Sequence, residues 1–415
     1  MFRIKYVIET RIIDYFCRNL NIFMKIKLAV VFGGKSPEHE ISVISALQTI
    51  NAADANKYDV IPIYISKQGT WYTGAALTDV KNYKDTAKLL SSCEKLLVSV
   101  NSDEAALYKY PSSIFTMKQK LGTIDVALPI LHGAHGEDGI LQGFFELMNI
   151  PYAGCNVLSS AIGMDKITMK IVFRHLGLAV VDFEHFYAKD WINTPKEVIQ
   201  KIEKNLGYPV IVKPADLGSS IGISKAKDAT ELYEAIDNAV QFSRKVIVEK
   251  AVTNLKEVNC AVLGDYEAAI PSICEEPVVN NDKILSYNEK YVTKAGSKGM
   301  ASLKRKIPAD ITADQTATIQ DMAVRSFQGL DCSGASRIDF LIDQDNGNIY
   351  VNEINTIPGS LSFYLWEKTN ISFPELVDRL VALAQKKQRE KSNLNFSFDS
   401  NIFQLNGVKL GGKKG

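Results

Sequence analysis

The stretch SRIDFLIDQDNGNIYVNEINTIPGS, residues 336–360, restricts the fold more than any other part of the chain. Two runs of strand character flank Asp345-Asn346-Gly347. Alternation puts Arg337 with Asp339 on one face of the first run and Glu353 with Asn355 on one face of the second. A two-residue Asn346-Gly347 turn would pair Asp339 with Ile354 and split the polar set between faces. A three-residue loop from Asp345 to Gly347 pairs Asp339 with Glu353 and Arg337 with Asn355. The second register is expected, because hard oxygen ligands gathered on one face suit Mg²⁺ bridging substrate phosphates. Ile338, Phe340, Ile354 and the neighbours of Val351 then pack on the core. Buried carboxylates in such apolar company cost several kcal/mol when unpaired, so Asp339 and Glu353 call for a cation.

The rest of the chain supplies a frame for this hairpin. IKLAVVF from Ile26, a glycine turn, the helical spacing of EISVISALQTI and then YDVIPIYI read as strand, helix, strand in an open parallel α/β sheet. DVALPI at residues 125–130 adds a buried strand before HGAHGEDG and a helix. Further on come a helix around MDKITMKIVFRHLG, the strand YPVIVKP, the turn DLGSSIG, the strand ISKA, a helix at DATELYEAIDNAV and the strand KVIVEK. Strands VNCAVLG, ASRIDFLI and NIYVNEI and two helices complete the order, and after Lys387 the chain reads as a polar tail. A length of 415 residues suits two or three domains.

Lys+Arg and Asp+Glu nearly cancel at net +1, which excludes nucleic acid or a membrane surface as the main partner. The six cysteines show no paired spacing, so neither a zinc knuckle nor a disulfide framework is encoded, in keeping with a reducing cytoplasm. Residues 1–23 carry too many charges for a signal peptide and read as an extension.

Two glycine turns carry candidate chemistry. VFGGKSPEHE, residues 31–40, lacks the glycine spacing of a Walker A loop or a dinucleotide fingerprint. It reads as a strand-to-helix turn with Ser36 as cap, Pro37 at the first helical position and Glu38 in the first turn, where an acid complements the helix dipole by ~0.3–1 kcal/mol. IVKPADLGSSIGISK sets Lys213 beside a turn whose backbone N–H groups can approach a phosphate.

In combination, GGKSPEHEIS, LPILHGAHGEDGILQGFFE, MDK, VKPADLGSSIG, VEK, EKY, SRIDF and NEINTIPG resemble, in order and rough spacing, the D-alanine-D-alanine ligases of the ATP-grasp superfamily over about residues 26 to 385. The resemblance implies a three-domain ATP-grasp architecture: an N-terminal open parallel α/β substrate domain at 24–158, a central lid domain at 159–249 and a C-terminal catalytic domain at 250–387. Residues 1–23 and 388–415 stay outside it as extension and tail. ATP is expected between the second and third domains. The activity implied is ATP-dependent ligation of two D-alanines through an acyl phosphate, for peptidoglycan precursor synthesis, by a cytoplasmic homodimer.

By motif position, the resemblance assigns Lys166, Lys213, Ser219, Ser220, Glu249, Lys250, Val252, Glu257 and Lys290 to ATP. It assigns Asp339, Glu353 and Asn355 to two Mg²⁺ ions, with Mn²⁺ as an alternative, and Arg337 to the transferred phosphoryl group. Glu38, Ser219 and Tyr291 match a triad that ties the first D-alanine to two loops, with Tyr291 and Lys290 in a mobile segment. His132 and Gly359 are the further substrate contacts, and Glu137 orients its neighbours. After NEINTIPG the chain departs from the family pattern with SLSFYLWEK, which puts Phe363 and Tyr364 at the acceptor side. Tyr291 argues against a D-lactate acceptor, and the Phe363-Tyr364 pair makes D-serine the alternative to a second D-alanine.

Overall fold

The computed structural model describes residues 24–99, 105–111, 119–278 and 305–395. Three sheets organise these residues. Apolar run 28–32, with every residue fully buried, forms the middle of β1 (Ile26–Gly33) and needs cover on both faces. β1 pairs in parallel with β2 (Tyr58–Ile65) and with β7 (Val126–Ile130), and helix α1 (His39–Ala52) provides the crossover. The parallel reading holds only for this centre. β3 (Trp71–Thr73), β4 (Glu94–Val98), β5 (Ala106–Lys109) and β6 (Gln119–Thr123) extend the sheet antiparallel in the order β6-β5-β4-β3-β2-β1-β7. These added strands are short and half exposed, so they lack the continuous apolar signature that marks β1 and β7.

Short helix α2 (Thr86–Ser91) caps that extension, and α3 (Ile140–Leu147) follows β7. Next come α4 (Val157–Met164) and α5 (Lys166–His175). Met169, Phe173, Leu178 and Val180 pack with Ile338, Phe340, Val351 and Ile354 rather than with the sheet that follows in sequence.

That second sheet is antiparallel, ordered β10-β9-β11-β8 from β8 (Phe183–Tyr187), β9 (Val210–Pro214), β10 (Ser224–Ala226) and β11 (Lys245–Lys250). Helices α6 (Ala188–Asn193), α7 (Pro195–Asn205) and α8 (Ala229–Ala239) accompany it, and Val198, Ile202, Leu232 and Ile236 close its core.

The third sheet runs β13-β12-β16-β17, from β12 (Leu255–Gly264), β13 (Ala269–Pro271), β16 (Gly334–Asp343) and β17 (Ile349–Asn355), beside a two-residue pairing of β14 (Glu276–Pro277) with β15 (Arg305–Lys306). Helix α9 (Ala313–Gly329) starts with a capping box, Thr312 accepting from Gln315 N while Gln315 answers at Thr312 N. Short α10 (Phe363–Lys368) and long α11 (Phe373–Ser392) fold back so that Trp366, Leu376 and Leu380 share one core with Val30 and Phe32 of the first sheet.

Helix α11 corrects the reading of a tail from residue 388. It continues to Ser392, and Lys391 pairs with Glu146 while Gln388 Nε2 donates to Asn149 Oδ1 at 2.9 Å. The polar residues at 388–392 are the outward side of a docked helix, which composition alone cannot separate from a tail.

Candidate active site

The β16–β17 hairpin has the expected pairing at its polar end, Arg337 with Asn355 and Asp339 with Glu353, but the turn differs. Ile342 pairs with Ile349 and the loop spans four residues, 344–347, with Gly347 N donating to Asp343 O at 2.7 Å. A bulge between Asp339 and Phe340 takes up the slip, leaving Asn352 as the extra residue. The bulge returns the polar pairs to one face.

Arg337 grips Asp339 in a fork, Nε to Oδ1 at 2.7 Å and Nη2 to Oδ2 at 2.8 Å, and Asn355 Nδ2 donates to Asp339 Oδ2 at 3.1 Å. Burial, with the charges of Glu353 and Glu275 behind it, pushes Asp339 above the ordinary carboxylate range in spite of Arg337. With Nδ2 turned to Asp339, the Asn355 Oδ1 oxygen is the group left to face a ligand. Two carboxylates and an amide oxygen form a hard-oxygen donor set that fits Mg²⁺. Among the described residues, no three His, Cys, Asp or Glu side chains gather as a metal group, so the amide is needed to complete such a set.

Behind this face stands a row of charges from the second sheet and α5. Lys166, the first residue of α5, donates to Leu217 O at 2.7 Å and lies 3.6 Å from Glu353 Oε2. Lys213 on β9 donates to Glu249 Oε2 on β11 at 2.6 Å and to Asn352 Oδ1 at 3.3 Å. The strand register puts Lys213 opposite Ile247 and Glu249 opposite Ile211, so the ion pair is a diagonal across neighbouring strands. Lys170, one turn beyond Lys166, sits 3.1 Å from Glu249 Oε1 and is fully buried. Sequence reasoning missed Lys170, although its spacing of four from Lys166 was a usable signal. Glu249, which the resemblance assigns to ATP, joins two lysines through its carboxylate. Lys250 Nζ donates to Tyr208 O at 3.0 Å. Glu257 stands on β12, its charge acting on Lys213, and Val252 lies just past β11.

At the first sheet, the turn after β1 differs from the sequence reading. Helix α1 starts at His39, with Glu38 in the N-cap position, and Ser36 Oγ instead accepts from Glu38 N at 3.1 Å. The Glu38 side chain makes no cap on the helix. Gly33 has φ +92°, and a Cβ there would lie 2.3 Å from Ile65 O. His39 locks the turn: Nδ1 donates to Gly34 O at 2.7 Å and Nε2 accepts from the Tyr64 hydroxyl at 2.9 Å. Burial keeps its pKa low, in accord with a neutral ring. No feature of the sequence singled out His39.

Glu38 then meets the glycine-serine turn between β9 and β10, where the Ser219 hydroxyl donates to Glu38 Oε1 across 181 positions. The residues in left-handed conformation at this turn include Ser219 and Ser220, with φ 55° and 58°, as well as Gly222. Serines thus adopt a backbone shape the sequence reading gave to glycines.

His132 is buried beside Glu38 and neutral by burial. Its Nδ1 donates to Ile357 O at 2.9 Å, so Nε2 accepts from Ser45 Oγ at 3.1 Å. Glu137 accepts from Gly133 N at 2.8 Å and Ile357 N at 3.0 Å, while burial and the charge of Glu38 push it up to about 8. Ile357 belongs to the NTIPG segment that leads to Gly359, the start of a short 3-10 turn. These contacts tie the first sheet to the end of β17.

Of the two aromatic residues expected at the acceptor side, Phe363 stacks on Phe373 with ring centres 4.6 Å apart and packs against the core. The Tyr364 hydroxyl donates to Glu275 Oε1 at 2.9 Å, Arg305 Nη1 reaches Glu275 Oε2 at 3.1 Å, and the Arg305 guanidinium covers the Tyr364 ring at 4.1 Å. Lys290 and Tyr291 lie outside the described residues.

Comparisons with known proteins show the family of the chain. The family models "D-ala D-ala ligase N-terminus" and "D-ala D-ala ligase C-terminus" match residues 27–155 and 172–382. The D-alanine–D-alanine ligase of Thermosipho melanesiensis is 42% identical over 380 residues, covering 92% of this chain and 99% of that one. The counterpart in Geobacillus kaustophilus is 40% identical, covering 90% and 99%. Among solved structures, the D-alanine-D-alanine ligase of Coxiella burnetii aligns with TM-score 0.73 and 30% identity over 89% of this chain and 96% of that one. VanG, the D-Ala:D-Ser ligase of Enterococcus faecalis, aligns with TM-score 0.74 and 34% identity over 87% and 100%.

Proposed function

The chain belongs to the D-alanine–D-alanine ligase family, and from that premise we propose how its residues divide the work of joining two D-alanines at the expense of ATP. It is an ADP-forming ligase. One observation carries the division of roles: Ser219, from the turn that follows the lysine strand, is bonded to Glu38 at the start of α1. This contact supports reading Glu38 as an amine-binding carboxylate next to a turn that binds phosphate.

In this reading Glu38 receives the ammonium of the first D-alanine, with Glu137 and His132 fixing the floor beneath it. Lys166 and Lys213 hold the ATP phosphates, with Ser219 and Ser220 in the turn above them, and Val252 and Glu257 border the nucleotide beyond Lys250. Asp339, Glu353 and Asn355 hold Mg²⁺, which when bound neutralises phosphate charge. Arg337 stabilises the phosphoryl group as it moves to the D-alanine carboxylate and the oxyanion formed when the second amine attacks. By motif position alone, Lys290 is assigned to ATP and Tyr291 to the triad with Glu38 and Ser219. We assign the product to peptidoglycan precursor synthesis in the cytoplasm and the enzyme to a homodimer. Among the described residues no helix is long and apolar enough to cross a membrane.

Phosphate release from ATP with D-alanine, D-serine, D-lactate and L-alanine tests the function. D-alanine should stimulate release in the presence of Mg²⁺ and chelation should stop it. Folded protein unresponsive to D-alanine would refute the reading. A second reading, D-serine as acceptor, draws on the polar Tyr364–Glu275–Arg305 wall beside Arg337 and on the alignment with VanG. It predicts mixed dipeptide from equal D-alanine and D-serine.

A further inference from the structure

Lys170 has no assigned task, yet it is among the largest side chains wholly removed from solvent. An ammonium in such a place is costly unless charge and hydrogen bonds compensate it. Its Nζ lies 3.1 Å from Glu249 Oε1, in ion contact but without the alignment of a hydrogen bond. The other oxygen, Oε2, is 2.6 Å from Lys213 Nζ, which also donates to Asn352 Oδ1 at 3.3 Å. The groups form a row from interior to site: Lys170, Glu249, Lys213, with side-chain exposures of 0%, 2% and 10%. Lys170 and Lys213 share the one carboxylate of Glu249, and of the two only Lys213 lies on the ligand side, where the charges of Glu353 and Glu257 also act on it.

Given the ligase function above, we propose that Lys170 is a positioning residue for ATP, acting through Glu249 on Lys213. A carboxylate has two oxygens. With Lys170 occupying Oε1, Glu249 meets Lys213 through Oε2 alone, and the remaining Lys213 donors stay available to Asn352 and a phosphate oxygen. Without Lys170, Glu249 turns both oxygens on Lys213 and withdraws those donors from the nucleotide. Burial depresses the pKa of Lys170 while Glu249 opposes the fall, in line with an ammonium held by one ion contact.

Steady-state phosphate release by the full-length enzyme tests this with ATP as the varied substrate. Lys170→Met should raise KM for ATP at least tenfold while leaving KM for D-alanine within twofold. Lys170→Gln, which can still donate to Oε1 and so protects folding, should raise ATP KM less. In a Lys213→Met background Lys170→Gln should add nothing, because its route is gone. A folded Lys170 variant with wild-type ATP KM, or an effect undiminished in the Lys213→Met background, overturns the proposal. A wild-type enzyme that D-alanine does not stimulate would sink the ligase function itself, a separate outcome.

Discussion

In the proposed division of roles single residues act through charge neutralisation, and the expected losses scale with how completely each charge is enclosed. Arg337 is the clearest case, since its fork to Asp339 holds a half-buried guanidinium at the candidate phosphoryl site. Arg337→Ala should lower kcat by roughly 10³-fold with a smaller change in ATP KM, comparable to the loss of a cation in other phosphoryl-transfer sites; rapid-quench or steady-state assays would show it. Glu249 gives a pH signature. Its two lysines hold its pKa down to about 2 against burial. A depressed carboxylate stabilises the fold above its ordinary pKa and loses that contribution as pH falls through the folded value. Glu249→Gln should therefore cost roughly 3–5 kcal/mol at neutral pH, because two buried lysines lose their counter-ion. The gap to wild type should close between pH ~4.5 and ~2 in denaturant titrations.

Turns and strand ends decide where these residues meet. The turn after β7 presses directly on Glu38: Gly133 has φ +73°, and a Cβ on it would stand 2.6 Å from Glu38 Oε2 and 2.8 Å from Ser36 Oγ. Gly133→Ala should displace Glu38 and raise KM for the first D-alanine about tenfold or more at little change in ATP KM, a split that initial-rate kinetics would reveal. The β16–β17 hairpin shows the limit of turn chemistry in sequence. Alternation and the demand for one polar face led to the right pairing of Asp339 with Glu353. The loop length was wrong by one, and a bulge at Asn352 restored the register. Bulges of this kind depend on what the extra residue meets, here Lys213 at 3.3 Å.

Across the whole molecule, the site exists because three sheets face one another. Glu38 comes from the first, Lys213 and Ser219 from the second or its turn, and Arg337, Asp339, Glu353 and Asn355 from the third. Helix α11 helps fix that arrangement by burying Leu376 and Leu380 with Val30 and Phe32, so the chain's end packs on its beginning. The sequence by itself determined the order of the long apolar strands with their main helices and the polar face of the β16–β17 hairpin, because apolar periodicity and alternation are local. Its motif blocks also nominated most of the residues found near one another. Only the tertiary structure decided what each charge touches. Glu249 became a hub between lysines, Lys170 emerged from an unremarked helix turn, His39 became a lock, and Tyr364 turned its hydroxyl to Glu275. Burial and distance set those roles, and both arise from contacts between residues far apart in the chain, which no local pattern encodes.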